Sequence, residues 1–372
     1  MLEVKEILSK KDLKKFVKFY LNLYKGNMFW VPPLIVDEMD TLDKDKNAAF
    51  TVSKTKYWLA YNDGKIVGRI AGIYNKNHYK RWNKHQVRFG WFDFINDIEV
   101  AQALIQKVEE WARELNTESV IGPMGFTDMD RNGMLVEGFD LPGTYATNYN
   151  YEYYPRILEE LGYKPDVDWI EYKIKAPKEI PAVIPKLAER TLRKHDLQIV
   201  HFKSRKDILK YADRVFDLLL ETYRILYGFV DLEKKQIEQY TKQYIGYLKP
   251  KYITVIETKE GEVVGFGITM PSMTKGLQKA NGRLFPFGLF HLLNEMRKTK
   301  VIDLYLIGVK PEYQRKGVTT IILNKMAHDF IEMGIEYAES NPELEHNTAV
   351  QNQWKHFDRE QHKRRRVYIK EL

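Results

Sequence analysis

The 372-residue sequence contains no cysteine. That absence removes disulfides, thiolate metal sites and a cysteine nucleophile together. Its nine histidines show no His-Glu-x-x-His or comparable ligand spacing, so no metal is expected. No apolar run reaches the ~18 residues of a membrane span. The first 15 residues scatter charges among their apolar positions, which argues against the apolar core of a signal peptide. The expectation is a soluble, cytoplasmic protein. No nucleic-acid-binding motif is present, so DNA is not an expected partner.

What the sequence does hold is enough to fold. Apolar residues make up 44%, with 24 Tyr, 18 Phe and 7 Trp to fill cores, and the length suits two domains of about 150–200 residues. Net charge is +8. Residues 355–366 (KHFDREQHKRRR) concentrate that charge. They read as a solvated terminal segment, or as a landing patch for an anionic cofactor, a membrane surface or nucleic acid.

The chain reads as one fold written twice. Two β-rich runs flank the turn at Asp63-Gly64, and two more flank Glu260-Gly261, 197 residues later. Both sets read as hairpins. A helical stretch precedes each (11–24, then 208–227). A strand follows each (87–94, then 301–309), and then a helix (99–115, then 319–333) with apolar residues three and four apart. Further strands at 119–122 and 335–338 lead to a helix in each half, and closing strands at 169–174 and 366–369. The segment 175–185 carries three prolines in eleven residues and marks the join. The expected fold class is α/β, two domains in tandem with a mixed central sheet flanked by helices. A first domain spans 1–175, a proline-rich linker and lead-in 176–194, and a second domain 195–372. One insertion, 273–300, breaks the symmetry and contains the apolar run Leu284-Phe-Pro-Phe-Gly-Leu-Phe-His-Leu-Leu293.

Chemistry concentrates where Val309, Pro311, Gln314 and Gly317 follow a strong strand and open a helix. A tight, glycine-containing turn there presents backbone N–H groups that have no partner within the helix. With the positive end of the helix dipole they make a seat for a pyrophosphate. Arg315 and Lys316 add charge.

These residues resemble the central loop of the GNAT superfamily of acyl-CoA N-acyltransferases, Gln/Arg-x-x-Gly-x-Gly/Ala after a strand ending in Val. The resemblance covers the second half and, more weakly, the first. It implies that Ile307, Val309 and the loop residues Gln314, Arg315, Lys316, Gly317, Val318 and Thr319 bind acyl-CoA, either acetyl-CoA or a longer thioester. Thr319 departs from the pattern, since a β-branched residue there narrows the room for backbone approach. Transfer to a lysine-like amine carries a cost, because only about one molecule in 10^3.4 is neutral at pH 7, roughly 4.6 kcal/mol. A base therefore helps. Asp303 stands six residues before Val309, where histone-acetylating relatives of this family carry a carboxylate; strand alternation puts it on one face with Tyr305 and Ile307. The resemblance also implies an Asn on the following helix, matched by Asn347, as a pantetheine contact; a helix N-cap is an equal alternative. The family's tyrosine acid is replaced by Trp354, and indole cannot protonate a thiolate. Tyr305 or Tyr313 is then the candidate acid, unless the thiolate leaves unassisted.

The first half lacks the cradle. Between strand and helix it reads Phe94-Ile-Asn-Asp-Ile-Glu-Val100, without glycine. Its long polar loop from Gly122 to Gly133 reads as an acceptor-binding loop or as inter-domain packing. The leading expectation is acyl transfer to a small-molecule or lipid amine, the apolar insertion and basic terminus favouring a lipid and transient contact with a membrane surface. An aminoacyl-tRNA-dependent peptidyl transferase and a non-catalytic acyl-CoA-binding module are the alternatives. The sequence leaves the oligomeric state open.

Overall fold

The structure, a computed structural model, describes residues 1–246 and 248–372. The first half supplies β1 (Leu2–Glu6), α1 (Lys10–Leu23), α2 (Ile35–Leu42), β2 (Ser53–Asn62), β3 (Lys65–Asn75) and α3 (Lys76–Trp82). It continues through β4 (Gln86–Phe94), α4 (Ile98–Glu114), β5 (Ser119–Gly122), β6 (Met134–Glu137), α5 (Tyr153–Glu160) and β7 (Lys164–Lys175). The second half opens with α6 (Val183–Lys194), β8 (Leu197–Ile199), α7 (Arg205–Leu209), α8 (Ala212–Tyr223) and α9 (Lys234–Ile245). Then come β9 (Ile253–Thr258), β10 (Val263–Pro271), α10 (Thr274–Ala280), α11 (Gly288–Lys298) and β11 (Val301–Val309). It ends with α12 (Val318–Met333), β12 (Tyr337–Ser340), β13 (Glu343–Leu344), α13 (Thr348–Gln351) and β14 (Arg359–Glu371).

Local chemistry explains the boundaries. Ser9 caps α1 by accepting from the Asp12 N–H, and Leu13, Phe16, Val17 and Tyr20 form its buried stripe. Both expected hairpins form, β2 with β3 and β9 with β10. The helix expected over 208–227 is broken in two, and the lead-in 176–194 is largely helix, with Pro185 tolerated in the first turn of α6. The strand expected at 335–338 lies two residues later, as β12.

Among the described residues, fourteen strands form one sheet, most of them in the order β1-β2-β3-β4-β5-β14-β7-β12-β11-β10-β9-β8. The middle of that order is interleaved. The last strand of the second half, β14, lies between β5 and β7 of the first; β7 in turn lies between β14 and β12 of the second. The closing strands are therefore exchanged between the halves.

This arrangement corrects the reading of residues 355–366. Most of that run is β14, at the centre of the sheet rather than in solvent, and it makes no landing patch. Lys363 and Arg365 are each 1% exposed. Arg365 pairs with the buried Glu171, Lys363 with Glu339 at 2.9 Å, and Arg366 grips both oxygens of Asp168 at 2.8 Å. Burial alone would raise the Glu171 carboxyl, but Arg365 and Lys363 hold it below its ordinary value. The charges serve pairing across the exchanged strands, where losing one partner strands the other in the interior.

Candidate active site

The parallel strands β11 and β12 pair only from Val301 with Tyr337 to Leu304 with Ser340, whereas β11 stays paired with β10 as far as Val309. Beyond Leu304 the sheet forks. Asn341 pins the crotch: its backbone N–H donates to the Leu304 carbonyl at 3.1 Å and its Nδ2 to the Tyr305 carbonyl at 3.0 Å. Further along, the Tyr223 hydroxyl reaches both the carbonyl (3.3 Å) and the N–H (3.4 Å) of Ile307.

A cavity of about 900 Å³ occupies this fork. One wall comes from the second half: Tyr305 to Val309, Gln314, Arg315, Thr319, Asn341, Glu343, Asn347 and Trp354. The other comes from the first half: Trp30, Val31, Asp37, Glu38, much of the loop from Pro123 to Met134, and Tyr145 to Asn150. The polar loop after Gly122 thus faces the same space as Gln314, Arg315 and Thr319. Arg88, itself 1% exposed, ties it in place by donating to the carbonyls of Gly125 (3.2 Å), Phe126 (3.3 Å) and Gly228 of the second half (3.0 Å).

The start of α12 fits an anionic group. Gly317 is its N-cap, in the left-handed region at φ 88°, and offers no side chain to the free N–H groups of the first turn. At the equivalent point of the first half, the Asp97 carboxylate accepts from the Glu99 N–H and caps α4 itself. One helix start is capped by its own side chain and the other has no side-chain cap. Arg315 takes no part in an ion pair among the described residues and lines the cavity. Gln314 donates from Nε2 to the Val309 carbonyl at 3.2 Å, bracing the loop against the strand end.

Of the residues singled out from the sequence, the cavity gathers Tyr305, Ile307, Val309, Gln314, Arg315, Thr319 and Asn347. Lys316, Gly317 and Val318 lie outside its lining; Lys316 sits over the Tyr313 ring at 5.1 Å, and Val318 belongs to the core. Asn347 caps α13, accepting from the Val350 N–H at 3.4 Å.

Asp303 is not where alternation put it. Tyr305 is an extra residue on β11 at an irregularity opposite Ile268 and Thr269. Ile302 and Leu304 pack into the core against α12, and so do Ile307 and Val309. The bulge has turned Ile307 to the other face from the one alternation predicts. Asp303 lies in the closed part of the fork opposite Glu339, 2% exposed, with neither carboxylate oxygen hydrogen-bonded. Burial first, and Glu339 second, raise its pKa well above the ordinary range. It lies outside the cavity lining, which removes the geometric basis for the role of base.

Other carboxyls line the cavity instead. Burial pushes Glu343 up to about 7, Asp128 up to about 7, and Asp37 and Asp130 each up to about 6. Trp354, at the position of the missing tyrosine, donates from its indole to Glu343 Oε1 at 2.7 Å. Glu343 Oε2, Asp128 Oδ1 and the Tyr305 hydroxyl have no hydrogen-bond partner. Burial also drives the Tyr305 pKa well above 10, so the phenol is suited to donating a hydrogen bond and poorly suited to surrendering a proton. Of these residues, Asp128 and Asp130 had been flagged through their loop. Asp37 and Glu38, on an ordinary-looking helix, carried no signal.

The fold is a tandem of two GNAT-like halves, and the second carries an acyl-CoA-dependent N-acyltransferase domain. Residues 212–357 match the acetyltransferase (GNAT) family. Protein YghO of Escherichia coli is 26% identical over 376 residues, covering 99% of this chain and 95% of that one. A bacterial ceramide synthase of Caulobacter vibrioides is 24% identical, covering 100% and 98%. Among solved structures, the tandem GNAT protein from the clavulanic acid biosynthesis pathway superimposes with a TM-score of 0.56 at 14% identity, covering 100% of this chain and 98% of the other. That last likeness speaks for the fold.

Proposed function

We propose that the protein acylates the amine of a long-chain lipid, an amino alcohol by preference, from a long-chain acyl-CoA. The observation that carries this reading is the single cavity joining the acyl-CoA fork to a carboxylate-lined wall from the other half. At about 900 Å³ it is near the top of the ~300–1,000 Å³ range of small-molecule sites, more than an acetyl group and a small amine require. The full-length similarity to a ceramide synthase supports the same acceptor class, since a ceramide is the amide of a long-chain amino alcohol.

In this reading the second half holds the donor: the N–H groups at the start of α12 and Arg315 meet the pyrophosphate, and the open edge of β11 meets the pantetheine. The first half holds the acceptor, whose ammonium is drawn by Asp37, Glu38, Asp128 and Asp130. The ammonium first gives one proton to solvent, and as the neutral amine attacks the thioester carbonyl Glu343 takes the second. The C–N bond forms, the C–S bond breaks, and the thiolate leaves to be protonated by solvent. A base with pKa near 7 matches neutral operating pH.

The test is to offer the full chain acetyl-CoA and palmitoyl-CoA, each with a long-chain amino alcohol or a short polar amine, and to follow thiol release and amide mass together. The reading predicts a long-chain amide from the pairing of palmitoyl-CoA with the amino alcohol. Transfer confined to acetyl-CoA and the short amine would overturn it.

A further inference from the structure

We infer that the tip of the α10–α11 hairpin is a docking surface for an anionic phospholipid bilayer. This extends the lipid-amine reading but stands on separate observations. The hairpin is the insertion that breaks the symmetry of the halves; between β3 and β4 the first half has only α3. One face of it belongs to the core, through Leu277, Leu292 and Met296. The other holds large apolar side chains in water: Phe285 is 78% exposed, Phe287 69%, Phe290 67% and Leu293 54%. The turn between the helices is closely built. A Cβ on Gly288 would lie 1.7 Å from the Arg283 carbonyl oxygen, so no other residue fits.

Charge names the partner. Lys275, Lys279, Arg283, Arg297 and Lys298 are exposed, and none forms an ion pair among the described residues. Glu295 is the sole acid from 273 to 300. Exposed aromatic rings with the unpaired Lys279 and Arg283 beside them in the chain, and Lys275, Arg297 and Lys298 further along the two helices, suit the headgroup level of a negatively charged leaflet. Among the described residues no helix is long and apolar enough to cross a membrane, so the contact is interfacial. Its location also fits. Gln278 donates to the Met28 and Trp30 carbonyls at 2.7 and 3.3 Å, and the Ile35 N–H donates to the Gly282 carbonyl at 2.9 Å. The segment so clamped contributes Trp30, Val31, Pro33 and Asp37 to the cavity. Tip and cavity wall are tied together, so docking would bring the acceptor side of the cavity to the bilayer that holds a lipid amine.

The experiment is co-sedimentation of the full chain with phosphatidylcholine vesicles, with and without phosphatidylglycerol. Two variants accompany the natural chain, F285S/F287S/F290S and K279E/R283E. The natural chain should prefer the anionic vesicles. The triple variant should lose at least about tenfold in apparent affinity, and the charge variant should lose the preference. All three should turn over a dissolved short-chain amine equally. Absence of vesicle binding by the natural chain, or undiminished binding by the triple variant, overturns the proposal. So does a dimer seen by light scattering that the triple variant dissolves without any vesicle binding, because a second copy would then cover the patch. If vesicle binding follows the expected pattern but no amine is acylated, the surface stands and the acylation reading falls.

Discussion

Replacing Glu343 by Gln should push activity and stability in opposite directions. Its carboxyl moves from an ordinary 4.5 to about 7 because burial disfavours the charged form. At about 1.36 kcal/mol per pH unit that places an upper bound of roughly 3 kcal/mol on the cost of ionising it in the folded state. The folded pKa is raised, so the cost is absent below about 4.5, grows between 4.5 and 7, and is complete above 7. Gln keeps an oxygen for the Trp354 indole, and Oε2 already lacks a partner, so no hydrogen bond is lost. At pH 8 the variant should therefore melt higher, by about 1–2 °C per kcal/mol recovered, and the gain should vanish near pH 4.5. Turnover should fall about 10²–10⁴-fold with the loss of the base. The acidic limb of the natural chain's pH–rate profile, rising through about 7, should flatten. Melting temperature and single-turnover rate are measured on one preparation across pH 4.5–8. A variant that melts lower at pH 8 while keeping its turnover refutes both the base and the buried-charge argument.

Arg315→Gly leaves the left-handed backbone of the loop undisturbed, because φ is 61° there, so a Kd for CoA at least tenfold weaker by titration calorimetry (~1.4 kcal/mol) would report the charge alone. Asp128→Asn with Asp130→Asn should raise the KM for the amine while the KM for acyl-CoA stays within about twofold, read from initial rates; equal effects on both would deny the acceptor role. Asp303→Asn should leave turnover close to that of the natural chain, since the side chain lies outside the cavity. Arg365→Ala should cost up to about 3–5 kcal/mol in denaturant melts by leaving buried Glu171 with only Lys363, 4.0 Å away, and Glu171→Gln in the same background should recover part of it.

Periodicity and turn chemistry were enough to read the paired hairpins, the 301–309 strand and the helix that follows it, because those signals are local. The strand, turn and helix start of the proposed acyl-CoA loop were legible for the same reason: Gln314, Gly317 and the preceding strand sit within a dozen residues. What failed was anything set by partners far along the chain. A bulge at Tyr305 depends on how β10 lies beside β11 and overrode simple alternation, taking Asp303 out of play. The basic run near the C-terminus looked solvated because its counter-charges, Asp168, Glu171 and Glu339, come from two other strands. Asp37 and Glu38 look like ordinary surface acids of a short helix until the first half is folded against the second.

The exchanged strands impose an order of events on the chain. As the protein leaves the ribosome, β5 and β7 have no neighbour between them until the final thirteen residues of β14 emerge. The first half therefore waits, with open strand edges in what will become the middle of the sheet. It cannot mature ahead of the second half in the way that independent domains in a series do. The two halves reach their native form together or not at all, so a chain interrupted shortly before its end loses the centre of the molecule rather than a dispensable tail.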